Sequence, residues 1–179
     1  MIAVNLGRPA GRPADGEYLP YYDPYIRRVP DGDIVDILDH QIGETAAFFA
    51  PFSTEQARWR PAPKEWTVIE IVGHLADSER IFSYRALRIA RNDPTPLPGA
   101  DLEAYVPAAG FESRTLADVV GEYVVVRHAT VALLRSLDAA AWTRRGTADG
   151  NPISVRALAY ILAGHETHHV EELRKSRDW

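Results

Sequence analysis

From Asp31 onward the apolar residues recur at helical spacing. Ile34, Leu38, Gln41, Ile42, Thr45, Phe48 and Phe49 share one face until Pro51 interrupts the pattern, which predicts a first helix. After a loop at 60–66, Thr67 with Glu70 three residues later forms a capping-box signature. It opens a second helix that runs to about Asn92, with Ile71, His74, Ser78, Ile81 and Arg85 on one stripe. The stretch 93–114 holds four prolines and two glycines and has little periodicity, so an irregular connection is expected there. A connection of that length usually has a function. Thr115 with Asp118 caps a third helix reaching Asp138, its stripe being Leu116, Val120, Tyr123, Thr130, Leu134 and Leu137 with Arg127 set among them. Beyond the turn-rich 147–152, Ser154 opens a fourth helix carrying Leu158, Leu162, His165, His169 and Leu173. No internal repeat and no strand pattern beyond short pieces is evident. The expected fold is all-α, a four-helix bundle over 31–179 preceded by an extended, Pro- and Tyr-rich arm over 1–30. That arm, with four tyrosines between Tyr18 and Tyr25, is expected to pack on the bundle or on a partner subunit.

Composition narrows the chemistry. Hydrophobic residues make up 46% and charged residues 25% of the 179, the balance of an ordinary globular domain. The net charge of −5, with Lys and Arg interleaved among Asp and Glu, argues against a nucleic-acid partner. No stretch approaches the apolar length of a membrane helix or of a signal-peptide core, so no membrane partner and a cytoplasmic location are expected. Cysteine is absent. Any metal ligand is therefore nitrogen or oxygen, and no protein thiol can act as nucleophile.

The histidines carry the main signal. On a helix, side chains four residues apart lie about 40° apart around the axis, so His165 and His169 project together. Both fall on the apolar stripe of the fourth helix, where unsatisfied ring nitrogens are costly and a shared metal would satisfy them. His74 is the lone histidine on the inner stripe of the second helix and would complete a three-nitrogen set. It lies seven residues after that helix begins, while His165 and His169 lie ten and six residues before Lys175. These depths match if the two helices run antiparallel. The long 93–114 connection permits that in an up-down-down-up order, since at ~3.3 Å per extended residue it spans a helix of ordinary length. For a single inward histidine the alternative is an ordinary hydrogen-bonded core residue. His168 is expected to support the ligand pair or to face solvent, and His40 and His128 to lie on the surface.

The run from His165 to His169 also satisfies the H-E-x-x-H pattern of zinc peptidases, with Glu166 as general base. The offsets where the longer peptidase motif places Gly and His carry Glu172 and Lys175, and only ten residues follow His169, which leaves no later helix for a third ligand. Glu166, one residue after His165, is rotated off the stripe, and a surface role is the alternative. A di-iron carboxylate bundle would need a second Glu-x-x-His, and only Glu166 with His169 supplies one.

The second-helix block containing GHLADSE, the third-helix block VRHATVALLRSLD and the fourth-helix block containing GHETHH resemble the DinB-like (YfiT-like) metal-binding four-helix superfamily over about residues 33 to 175. The resemblance implies an up-down-down-up bundle, often a homodimer, with metal ligands at His74, His165 and His169. It implies one divalent ion, zinc or nickel first, with iron or manganese as alternatives. The activities it implies are metal-dependent hydrolysis, or S-transfer using a low-molecular-weight thiol, on a small-molecule substrate. A non-catalytic stress or partner-binding bundle, stabilised by its metal, is the contrasting expectation.

Four further residues are candidates for the same site. Arg127 and Arg85 on inward stripes need anionic partners, either a substrate carboxylate or a structural ion pair. Asp77, one turn after His74, is either a support for a ligand ring or a solvent-facing carboxylate. Tyr105 and the prolines of 93–114 form either a lid or a passive cover.

Overall fold

The computed structural model describes residues 11–176. A 3₁₀ turn at Pro20–Tyr22 leads into α1 (Asp23–Ile26), followed by α2 (Ile34–Phe49), α3 (Thr54–Ala57), α4 (Val68–Ala90) and α5 (Leu102–Ala109). A second 3₁₀ turn at Phe111–Ser113 precedes α6 (Leu116–Arg135) and α7 (Ala139–Thr143). Strands β1 (Arg145–Ala148) and β2 (Asn151–Ser154) then lead into α8 (Val155–Lys175). The four long helices α2, α4, α6 and α8 form the bundle, and each opens on a side-chain cap: Asp33, Thr67, Thr115 and Ser154. Such caps stabilise a helix start by about 1 kcal/mol each.

Contacts fix the directions of the helices. Arg144, whose carbonyl accepts from the Val155 amide at the start of α8, donates to the carbonyl of Ala90 at the end of α4, while His74 near the start of α4 meets His165 at the middle of α8, so α4 and α8 are antiparallel. Gln41 of α2 donates to the Ala163 carbonyl, and Phe49 packs with Leu173, so α2 and α8 run the same way. Tyr123 early in α6 joins Val68 and Ile69 at the start of α4 and Phe49 at the end of α2. The order is therefore up-down-down-up, as the depths of the histidines required.

Two apolar clusters fill the bundle. One gathers Ile34, Leu38, Phe82, Leu134, Leu158 and their neighbours, and the other Phe49, Val68, Val72, Tyr123 and Leu173. Between them each long helix contributes buried polar groups at one level: Gln41 and Thr45, His74 with Ser78 and Glu79, Arg127 with Thr130, and His165 with Glu166. A polar layer crossing an apolar core is costly unless its groups satisfy one another.

Three local expectations need correction. The first ten residues of the expected extended arm lie outside the described residues, and the rest is not wholly extended: proline at the helix start favours the turns at Pro20–Tyr22 and Asp23–Ile26. The segment packs on α8, burying Ile26 and Val29, and Glu17 ties it there through Ser154 and Arg156. The 93–114 connection is not irregular throughout, because Asp101 caps α5 and Gly110, at φ 65°, ends it in the left-handed conformation. On α6 it is Val119, not Val120, that is fully buried. The two strands form a hairpin turned by Asp149 and Gly150, both at positive φ, and Leu97 pairs with it through Thr147 and Asp149, tethering the connection to the bundle.

Candidate metal centre

His74, His165 and His169 meet in the polar layer. His165 Nε2 lies 3.1 Å from His74 Nε2 and 3.0 Å from His169 Nε2. Hydrogen bonding alone satisfies this group poorly. A neutral imidazole nitrogen either donates one proton or accepts through one lone pair, and here one nitrogen faces two others. A cation resolves the conflict. Nitrogens at these separations are close enough for one ion to be held by all three histidines at ordinary metal–nitrogen distances. The donor set fits a borderline divalent ion.

Electrostatics point the same way. Burial pushes the His74 imidazole down to about 4 and His169 down to about 3. His165 is held well below the ordinary imidazole range by burial, then by the neighbouring imidazoles and Arg127. All three rings are neutral at physiological pH, so their lone pairs are available to a metal without proton release.

Two cavities open on the centre. One, of about 390 Å³, is walled by Tyr21, Tyr22, Tyr25, Phe82 and Trp66 and reaches all three clustered histidines. Tyr25 sits edge-on to His165 at 5.4 Å between centroids, and Trp66 lies 4.6 Å from His74. Burial holds the Tyr25 hydroxyl up at about 12, and its ring forms part of the chamber wall. The approach of α1 that places it there depends on Gly164, where any side chain would meet the Tyr25 backbone. The other cavity, of about 860 Å³, lies between the 60–66 loop, α5 and the end of α8, and shares Trp66, Glu103, His168 and His169 with the first.

The remaining sequence candidates separate. Glu166 is neither on the surface nor a base facing the cavities. It is buried, accepts from Thr45 and pairs with Arg127 at 2.7 Å, because one residue of helix rotation from His165 turns it into the core. Arg127 is a structural partner rather than a substrate contact, 1% exposed between Glu166 and Glu79 (2.9 Å) and donating also to Gln41. Arg85 donates to the Pro98 carbonyl and lies against Phe82, lining with Asp149 a small annex of about 80 Å³, so it anchors the 93–114 connection and makes no ion pair within 4 Å among the described residues. Asp77 pairs with Arg80 and does not reach His74, where the nearest hydroxyl is Ser78 at 3.5 Å. Tyr105 is 40% exposed and outside both cavity walls, where Leu102, Glu103 and Val106 of α5 provide the cover instead. His168 lines both cavities and packs against Tyr25 and His169.

Sequence reasoning missed Glu79, Trp66 and the aromatic wall. Glu79 sits one residue after Ser78 with nothing local to mark it, whereas Trp66, directly before the Thr67 cap, and the tyrosine run were visible but unassigned.

A model of the DinB superfamily matches residues 37–173. Comparison with curated proteins returns no match. Among solved structures the chain is similar to YfiT from Bacillus subtilis, described as a probable metal-dependent hydrolase with an unusual four-helix bundle topology. The two are 17% identical, with a TM-score of 0.70 over 97% of this chain and 96% of that one.

Proposed function

The chain belongs to the DinB superfamily, and from that premise we propose that it is a metal-dependent enzyme in which His74, His165 and His169 hold one divalent ion. The observation that carries this reading is the convergence of three neutral imidazole nitrogens, spaced 3.0 and 3.1 Å, on a point open to two cavities. Zinc or nickel comes first, with iron and manganese as alternatives. When bound, such an ion supplies Lewis acidity and lowers the pKa of a coordinated water or thiol.

The chain's own residues supply the setting. Tyr25, Tyr22, Phe82 and Trp66 exclude bulk water from one side of the centre and offer an apolar surface to an organic substrate. Glu166 and Arg127 lock α8 against α2 and α6, which fixes the rotation that points His165 and His169 inward. Hydrolysis of a small-molecule substrate is the first reading, supported by the description of YfiT.

A specific observation favours a second reading. Both cavities reach His169, which leaves room for two molecules, and the chain contains no cysteine, so a thiol nucleophile would be an external small molecule. Metal analysis of the purified protein, followed by turnover of an electrophile panel with and without added small thiols, separates the two. Turnover without thiol supports hydrolysis, and turnover only with thiol supports transfer. Equal stoichiometric metal in wild type and in a His165→Ala, His169→Ala double variant would remove the site altogether.

A further inference from the structure

The walls of the two cavities are unequal in charge. The aromatic chamber carries Asp101 and Glu103 and no lysine or arginine. The larger cavity adds Glu65, Glu70 and Glu172 against Arg60 and Lys64, and Arg60 is already engaged by Glu112 at 2.9 Å and Glu70 at 3.9 Å. Arg85 is not on the chamber wall: its guanidinium goes to the Pro98 carbonyl and the Phe82 ring, in an annex that shares Tyr22, Phe82, Ala100 and Leu102 with the chamber and holds Asp149 as well. Arg127 is sealed in the core by two carboxylates. An anion entering the chamber would therefore pass two carboxylates at its rim, with no lysine or arginine on the chamber wall to compensate its desolvation.

The aromatic wall adds the complementary half. Tyr21 and Tyr22 lie edge to face at 5.2 Å, Tyr22 meets Phe82 at 6.2 Å, and Tyr21 is 65% exposed at the outer end. Tyrosine, phenylalanine and tryptophan faces attract organic cations through the ring quadrupole, and a carboxylate nearby completes such a site. Glu103 has no ion-pair partner among the described residues, and Asp101 accepts only from the Ala104 amide at 3.1 Å as the cap of α5.

We infer that the chamber selects an organic cation: a substrate with an apolar or aromatic body against the tyrosines and an amine or quaternary ammonium facing Asp101 and Glu103. Like charges favour this orientation. An ion at the histidines is positive, so the ammonium belongs at the rim, and the uncharged reactive end is left toward the centre. The same wall discriminates against carboxylates, sulfonates and phosphate esters of equal size. This inference deepens the reading of the histidine centre as an enzyme site and rests on it, but it concerns binding alone.

The test uses the full-length, metal-loaded protein and three unreactive probes of one size class: benzyltrimethylammonium, benzyl alcohol and benzenesulfonate. Affinities are read by calorimetry and by tryptophan fluorescence, to which Trp66 on the chamber wall contributes. The expected order is cation tightest and sulfonate weakest. Asp101→Asn with Glu103→Gln is expected to weaken the cation about threefold to tenfold while leaving benzyl alcohol unchanged. Asparagine keeps the α5 cap, and circular dichroism checks that the variant is folded. A sulfonate that binds as tightly as the ammonium, or an ammonium affinity unmoved by the double variant, overturns the inference. Because the probes do not react, this outcome is independent of the electrophile panel. Retained charge order without turnover sinks only the enzymatic reading, and turnover without charge order sinks only the substrate class.

Discussion

Replacing Gly164 by alanine sets two physical effects against each other with opposite signs. Gly164 lies inside α8, where glycine costs a helix about 1 kcal/mol relative to alanine, so propensity alone predicts that Gly164→Ala stabilises the protein. The tertiary structure predicts the reverse. A methyl group at this position would lie 3.0 Å from the Tyr25 Cα and closer still to its carbonyl carbon and oxygen. These are backbone atoms, so no rotamer change relieves the overlap, and α1 must move outward from α8. Overpacking of this kind costs about 1–3 kcal/mol. Displacing the segment also loosens Ile26 and Val29, at 4% and 2% exposure, each worth about 1.5–3 kcal/mol when fully buried. Glu17, held to Ser154 and Arg156, limits how far the segment can retreat. Overpacking less the propensity gain leaves a loss of about 0–2 kcal/mol, and partial exposure of Ile26 and Val29 raises the expected net loss to about 1–3 kcal/mol. Urea denaturation monitored by far-ultraviolet circular dichroism measures it, and proteolysis between residues 11 and 30 is expected to accelerate. Unchanged or increased stability together with unchanged proteolysis would refute the claim that this glycine seats the tyrosine wall over the histidines.

Further outcomes follow from the polar layer and its attachments. Arg127→Met leaves Glu79 and Glu166 buried without their counter-charge and is expected to cost about 3–5 kcal/mol in chemical denaturation, whereas adding Glu79→Leu and Glu166→Leu should recover much of it. Arg156 holds the Glu17 carboxyl down at about 2. A depressed carboxyl stabilises the fold above its unfolded pKa and loses that contribution as pH falls through the folded one. Wild type should therefore lose about 2–3 kcal/mol between pH ~5 and pH ~2 that Glu17→Gln does not lose, measured by stability against pH. Chelation is expected to lower the thermal midpoint of wild type and leave the His165→Ala, His169→Ala double variant unmoved, as scanning calorimetry would record.

The amphipathic stripes and caps determined the four long helices from sequence, because burial of one face and satisfaction of the first amides are local requirements. Thr67, Thr115 and Ser154 cap where their spacing placed them. The i, i+4 pairing of His165 with His169 is likewise a property of one helix, and matching His74 to it needed only helix rise and an antiparallel partner. What sequence left open was decided by contacts between distant segments. Glu166 was ambiguous because its role depends on Arg127 and Thr45 from two other helices. Arg127 and Arg85 occupied similar inward positions, yet one met two carboxylates and the other a carbonyl and a ring. The tyrosine run between residues 18 and 25 carried no address in itself. Gly164, 139 residues beyond Tyr25, supplied the seat that turns it into a wall of the histidine chamber. Periodicity reports which face of an element is buried, and only the packed structure reports what that face is buried against.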